Sequence, residues 1–367
     1  MATKPSAEVV FKQLASTLIE RSGKSPAVLL FKSSSSKAKA FVEIDVTEGI
    51  TTTELTKYTE NNDTLLRAIE FCRATSPDKI YISNLGFNET WQKLVMAGEE
   101  NCIVTQIENT GETDTTIATS VKALDEKNKG CMFVYSSDAP TLHNKHLICT
   151  ATNKYIKYYD EDNTELTAFE VNALYAGIIA KCSVDRSITN YTMPLIAKIE
   201  VPVGIDIEGA DLTSKGVLYA ENVAGSPRVV AGVNTAEIDG TITEDMQHIE
   251  VVQTMDMIRK DIIDTFCENY RGKVKNNYNR QVIFMGAVKS YYAELENEEI
   301  LDPSFENDCY IDIESQREAW LGSGKTEADS WSDNKVKLMS YKRKLFLESN
   351  IKICQSMEDL KMYVILE

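Results

Sequence analysis

Cys131-Met132-Phe133-Val134-Tyr135 reads as a β-strand, and its setting decides the fold class. Lys79-Ile80-Tyr81-Ile82 and Cys102-Ile103-Val104 are short strands upstream of it. Helices are expected between them. Asp63 is placed to cap one that carries Leu65, Leu66, Ile69 and Cys72, and Asn88 caps another with Trp91, Leu94, Val95 and Met96. Asp114 opens a third with Ile117, Val121 and Leu124. Earlier, Pro26 introduces a strand from Ala27 to Phe31, the serines 33–36 form a turn, and Phe41, Ile44 and Val46 begin another strand. Later, Leu147 to Thr150 and Tyr155 to Tyr159 are strands, and a helix from Thr164 runs to Cys182. Strands alternating with helices of this length predict an open α/β layer with mostly parallel strands.

After Pro194 the character changes. Lys215 to Tyr219 and Arg228 to Val233 read as strands around a Gly225-Ser226-Pro227 turn. A long helix from about Met246 to Tyr270 places Ile258, Ile262, Phe266 and Tyr270 on one face, with Gly272 as its stop. A second helix carries Val282, Met285, Val288, Tyr292 and Leu295. The end is β-rich: Cys309 to Ile313, Lys344 to Leu347, Ile351 to Cys354 and a terminal strand. This half is expected to be α+β, two helices packed on a sheet. The predicted layout is an N-terminal arm over 1–22, an α/β domain over 23–193, an α+β domain over 194–350 and a C-terminal strand over 351–367.

In that last stretch Leu360, Met362, Val364 and Leu366 fall on one face by period-two alternation, with Lys361, Tyr363 and Glu367 on the other. An apolar strand left unpaired invites aggregation, so it must pair within its own subunit or be donated to a neighbour's sheet. Val9-Val10-Phe11 in the first segment could pair in the same way, or join Leu14, Leu18 and Ile19 in a helical stripe.

Composition narrows the function. The chain has 367 residues, a formal net charge of −17 and 43% hydrophobic residues. Such acidity argues against general affinity for nucleic acid or anionic membranes. No apolar stretch is long enough to span a bilayer, and no signal peptide is visible, so the cytoplasm is the expected site of synthesis and assembly. The eight cysteines are scattered through apolar segments, as buried reduced thiols would be. The charge is blocked. Arg271, Lys273, Lys275, Arg280 and Lys289 lie in a stretch without an acid, 294–318 holds ten acids and one base, and 334–347 holds five bases and no acid. Such blocks are solvated faces, or complementary surfaces in an assembly.

Chemical motifs are weak. Gly322-Ser323-Gly324-Lys325-Thr326 resembles the end of a phosphate loop, but Ala319 stands where the first glycine belongs. A small-ligand or nucleotide-binding α/β enzyme using the region near Gly324 and Lys325 is the alternative of another class. His143, His146 and Cys149 are spaced by threes, yet Leu147-Ile148-Cys149 reads as strand, and surface loop histidines are expected. Asp160-Glu161-Asp162-Asn163 lacks the rest of a calcium loop. No catalytic set, metal or cofactor is called for.

An ordered series from Val201 onward carries a resemblance: Lys215-Gly216-Val217-Leu218, then Arg228 to Asn234, then Ile249 to Ile262 (IEVVQTMDMIRKDI), then Val282 to Leu301 and Phe346 to Leu360 (FLESNIKICQSMEDL). It resembles the C-terminal domain of phage tail sheath proteins from contractile tails of phages of Gram-positive bacteria. Ala173 to Thr192 and Phe11 to Phe31 resemble upstream parts of the same family. One departure is Asn234-Thr235-Ala236-Glu237, where the family commonly follows its asparagine with serine and other hydroxyl residues.

The resemblance implies a structural subunit and no enzyme. Its subunits form a homo-oligomer of stacked hexameric rings around a tail tube, bounded by a baseplate and a tail terminator, in a virion or a contractile bacteriocin particle. The ends of each subunit extend neighbours' sheets, which makes Leu360, Met362, Val364 and Leu366, and Val9, Val10 and Phe11, the interface candidates. Arg271, Lys273, Lys275 and Arg280 are candidates to face an acidic tube, or equally to meet a neighbouring subunit or solvent.

Overall fold

The computed structural model describes residues 18–32, 41–51, 53, 63–84, 101–107, 113–127, 129–137, 139–151, 155–158, 165–200 and 210–365. Val9, Val10 and Phe11, the helix expected after Asn88, the Asp160–Asn163 turn and Leu366 lie outside them. The chain divides into two compact units, Ile262–Lys352 in one, and Arg21–Asp261 with 353–365 in the other.

The larger unit is built on a seven-stranded sheet. Its strands are β1 (Ala27–Phe31), β2 (Phe41–Ile44), β3 (Ile80–Asn84), β4 (Cys102–Gln106), β5 (Cys131–Ser136), β6 (Leu147–Thr150) and β9 (Val217–Leu218). Two further strands, β7 (Tyr155–Tyr158) and β8 (Ile196–Glu200), form a separate antiparallel pair. The sheet order is β2-β3-β1-β4-β5-β6-β9, parallel except for β2 at one edge. The open, mostly parallel layer is thus present, and its last strand comes from beyond residue 193.

A central strand of a parallel sheet is covered on both faces and favours a continuous apolar run. In β1 all five side chains are buried. Ala27, Leu29 and Phe31 join a core with helices α1 (Asp63–Ala74) and α3 (Ala168–Cys182). Val28 and Leu30 join the opposite core with α2 (Asp114–Asp125) and Leu212 of the short α4 (Ala210–Ser214). Helix α3 starts on a capping box of Thr167 and Glu170, and buried Glu170 also pairs with Arg67 at 2.6 Å. It packs closely on α1 through Gly177, where a Cβ would stand 2.8 Å from the Cys72 carbonyl oxygen.

A hairpin follows, β10 (Ala220–Val223) with β11 (Ser226–Val229). Ala224 and Gly225 turn it with φ of 50° and 82°, the paired left-handed conformation that suits a two-residue loop. The expected long helix is α5 (Ile249–Thr265), led by a 3₁₀ turn and closed by a π turn over Phe266–Tyr270.

In the smaller unit α6 (Tyr278–Asn297) is capped by Asn277, whose side chain accepts from the Arg280 N–H. It buries Phe284, Ala287, Val288, Tyr291, Tyr292 and Leu295. Beside it β12 (Asp308–Ile311) and β13 (Leu347–Asn350) form an antiparallel ribbon. Between them lie α7 (Ile313–Gly322) and α8 (Asp333–Leu338) over a small core of Ala328, Trp331 and Val336. The mixed α/β and α+β class is observed. The phosphate-loop look-alike follows the C-terminus of α7, the opposite polarity to a helix N-terminal phosphate cradle. Its Lys325 lies over the rings of Trp320 and Trp331, at 5.5 and 5.4 Å, and pairs with Glu327.

Candidate functional site

The C-terminal segment leaves its unit at a defined point. Ser356 donates its N–H and its hydroxyl to the two carboxylate oxygens of Glu250, each at 2.9 Å, and its hydroxyl oxygen accepts the Ser187 N–H at 2.9 Å. Gln355 reaches Asp245 at 2.8 Å. Beyond Ser356, residues 357–365 make no hydrogen bond or ion pair with another described residue and have no strand partner. Leu360, Met362 and Val364 are 88%, 71% and 68% exposed, and Met357, Tyr363 and Ile365 are exposed as well. Among the described residues neither the strand expected here nor the one expected at 351–354 forms as a regular strand: Ile353 makes a single bridge, and 357–365 have no strand partner.

The N-terminal segment is tied down at the same loop. Arg21 pairs with Asp185 at 2.9 Å, and Lys24 pairs with Asp185 and donates to the Lys181 carbonyl at 2.9 Å. The Ser22 N–H is shared between the two oxygens of buried Asp261 at 3.2 Å. Burial opposes ionisation of Asp185, but Lys24 and Arg21 outweigh it and hold the carboxyl below its ordinary range. The five residues 183–187 after α3 therefore hold both the entering and the leaving chain. A cavity of about 310 Å³ opens beside them, lined by Arg21, Lys24, Lys79, Gln253 and Lys260 among others.

The basic candidates fall together. Arg271, Lys275 and Arg280 line a groove of about 240 Å³ in the smaller unit, and Arg343 joins them. Lys273 lies outside the groove lining, its ammonium donating to the Glu268 carbonyl. Phe266, Tyr270 and Phe284 supply aromatic walls, with edge-to-face contacts of both Phe266 and Tyr270 on Phe284. Arg271, Lys275, Arg280 and Arg343 are exposed, and among the described residues none of the four has an ion pair. Nearby, the β12–β13 ribbon has two strands only, which leaves both outer edges without a described partner.

His146 corrects the expectation of surface histidines. It is fully buried, its Nε2 2.7 Å from the Asp256 carboxylate and its Nδ1 3.6 Å from Asp125. Arg259 bridges the same two carboxylates, and Lys145 pairs with Asp125 at 3.2 Å. Burial works against a charged ring, but Asp256 and Asp125 outweigh it and push the pKa up to about 9. His143 is partly exposed, while Cys149 is buried in β6. The signal missed in the sequence is long-range: the acids that fix His146 sit on other elements. The departing Asn234 is likewise a local brace, its amide donating to the Met246 carbonyl and accepting from the Ala236 N–H.

Together, these observations describe a mixed α/β chain whose entering and leaving segments are tied at one loop and whose exposed apolar residues within 357–365 have no strand partner among the described residues. Residues 241–367 match the family model of the phage tail sheath C-terminal domain. The tail sheath protein of Clostridium phage phiCD119 is 25% identical over 382 residues, covering 99% of each chain. Among solved structures, the helical sheath of the anti-feeding prophage in its contracted state covers all of both chains at a TM-score of 0.68 and 14% identity. The crystal structure of a sheath tail protein from Desulfitobacterium hafniense covers 84% of this chain and 94% of that one at a TM-score of 0.66 and 12% identity. At such identities the structural likeness is one of fold. Among the described residues no helix is long and apolar enough to cross a membrane.

Proposed function

We propose that this protein is the structural subunit of a contractile tail sheath, polymerising as stacked hexameric rings around a tail tube and contracting to drive that tube through a target envelope. The observation that carries the reading is the stretch from Met357 to Ile365, exposed along its length and without a hydrogen bond or ion pair to the other described residues. Burying its six large apolar side chains would contribute on the order of 10 kcal/mol, against an ordering cost of about 1–2 kcal/mol per residue. Main-chain pairing with an acceptor edge would supply the remainder, and the open β12–β13 ribbon offers such edges. Donated strands of this kind keep neighbours connected while the bodies rotate, so the lattice shortens without dissociating.

The particle is a virion tail or a contractile bacteriocin, assembled in the host cytoplasm, with a tube, a baseplate and a terminator as partners. Arg271, Lys273, Lys275 and Arg280 present charge to an acidic partner. The tube and a neighbouring sheath subunit both meet that description, and charge reversal separates them: sheath polymers that no longer hold the tube indicate the first, failure to polymerise the second. For the subunit reading itself, negative-stain microscopy of the purified chain is the test. Tubes with sixfold end views are expected; a protein that stays monomeric at all concentrations and salts would overturn it.

A further inference from the structure

We propose that the basic aromatic groove of the smaller unit receives the segment Met357-Glu358-Asp359-Leu360 of a second copy of this chain. This rests on the reading of the C-terminal segment as a donated arm and adds the site where its root would be seated.

Three features of the groove define its occupant. Its rim is cationic, with Arg271, Lys275, Arg280 and Arg343 and no acidic lining residue, in a chain whose net charge is −17. Its walls are aromatic, and at about 240 Å³ it suits one or two side chains rather than a whole small-molecule ligand. Its lining also includes Gln281, which is 2% exposed and whose Oε1 has no hydrogen-bond partner, while its Nε2 donates to Asn276. A buried acceptor without a donor is costly, and a peptide N–H would satisfy it where an inorganic anion could not.

An occupant with carboxylates, an apolar side chain and a backbone N–H is a short acidic–apolar peptide. The chain itself exposes one. Met357 and Leu360 are 101% and 88% exposed, and they flank Glu358 and Asp359, which have no ion pair among the described residues. Paired carboxylates over four unneutralised cations form a network, which contributes more than an isolated surface pair.

The test is a charge swap in the full chain, read by pelleting and negative-stain microscopy of tubes. One variant carries Arg271→Glu, Lys275→Glu, Arg280→Glu and Arg343→Glu; the other carries Glu358→Lys with Asp359→Lys. Each alone sets like charge against like, and each is expected to lose pelletable polymer at least tenfold. Mixing the two variants restores tubes, since each groove then meets an oppositely charged segment from the other copy. The proposal is overturned if either variant alone assembles normally, or if mixing restores nothing. Restoration only when all six changes share one chain would place the segment in its own copy's groove and overturn it as well. Normal sheath polymers that release their tube would assign the groove to the tube. If instead the chain lacking residues 357–367 still forms normal tubes, the donated-arm reading itself has failed, which none of the swap outcomes alone would show.

Discussion

The Ser187 N–H donates to the Ser356 hydroxyl at 2.9 Å, across 169 residues of sequence, and that bond marks where the C-terminal segment leaves its unit. Glu250 completes the clamp from α5 with both carboxylate oxygens. Ser356→Ala removes the hydroxyl that links these groups and leaves the Ser187 N–H without its acceptor. It should cost about 1 kcal/mol locally. Hydrogen exchange should rise several-fold in 353–356 and in 186–188, with the central sheet strands unchanged. Unaltered exchange at both segments would contradict the clamp.

Asp185 does the corresponding work for the entering chain. Asp185→Ala frees Arg21 and Lys24 from their shared carboxylate. The acid is 44% exposed, so the loss of global stability should be small, about 1 kcal/mol or less. Limited proteolysis is the sensitive readout: cleavage near Arg21 and Lys24 should accelerate, while cutting elsewhere stays at the parent rate. Equal cleavage rates in the variant would remove Asp185 from this role.

Buried His146 makes stability pH-dependent in a defined window. Its pKa is raised from 6.5 to about 9, so the native state binds the proton more tightly than the unfolded chain does. That contribution is fully present below pH 6.5 and is lost as pH rises through about 9. The shift corresponds to about 3 kcal/mol. Denaturant midpoints should fall between these limits, and His146→Gln should flatten that fall while lowering stability at pH 6. A midpoint that rises from pH 6.5 to 9 would contradict the charged-histidine arrangement.

Thiol reactivity offers an independent check on burial. Cys72 is pushed up to about 12 and Cys182 to about 11, both by burial, and burial also raises Cys131, whose sulfur lies 3.4 Å from that of Cys102. Cys267 and Cys354 are only half-buried. Iodoacetamide at neutral pH on the native monomer should label Cys267 and Cys354 first and the other six only after denaturation. Early labelling of Cys72 or Cys131 would contradict the packed sheet.

What the sequence conveyed followed from local physics. The apolar run Ala27–Phe31 identifies a strand covered on both faces without any knowledge of its neighbours. The acids read as helix openings, Asp63 and Asp114, head α1 and α2, and periodicity finds α5 and α6. The clustering of Arg271, Lys275 and Arg280 was legible as a charge block. Their meeting with Arg343 was not, because the chain returns to them only after a long excursion through α6, α7 and α8. His146 was misread for the same reason, since Asp256 lies 110 residues away. The alternation at 360–366 reveals a face that wants a partner but contains nothing about whose sheet supplies it.

The donated segment is the centre of the account, and a chain ending at Ser356 tests it most directly. Residues 357–365 make no hydrogen bond to the rest of the described chain, so their removal should leave the thermal midpoint within a degree or two of the parent. Negative-stain microscopy should then show a folded subunit that forms no tubes under conditions where the full chain polymerises. Tubes of normal length and diameter from the shortened chain would contradict the account.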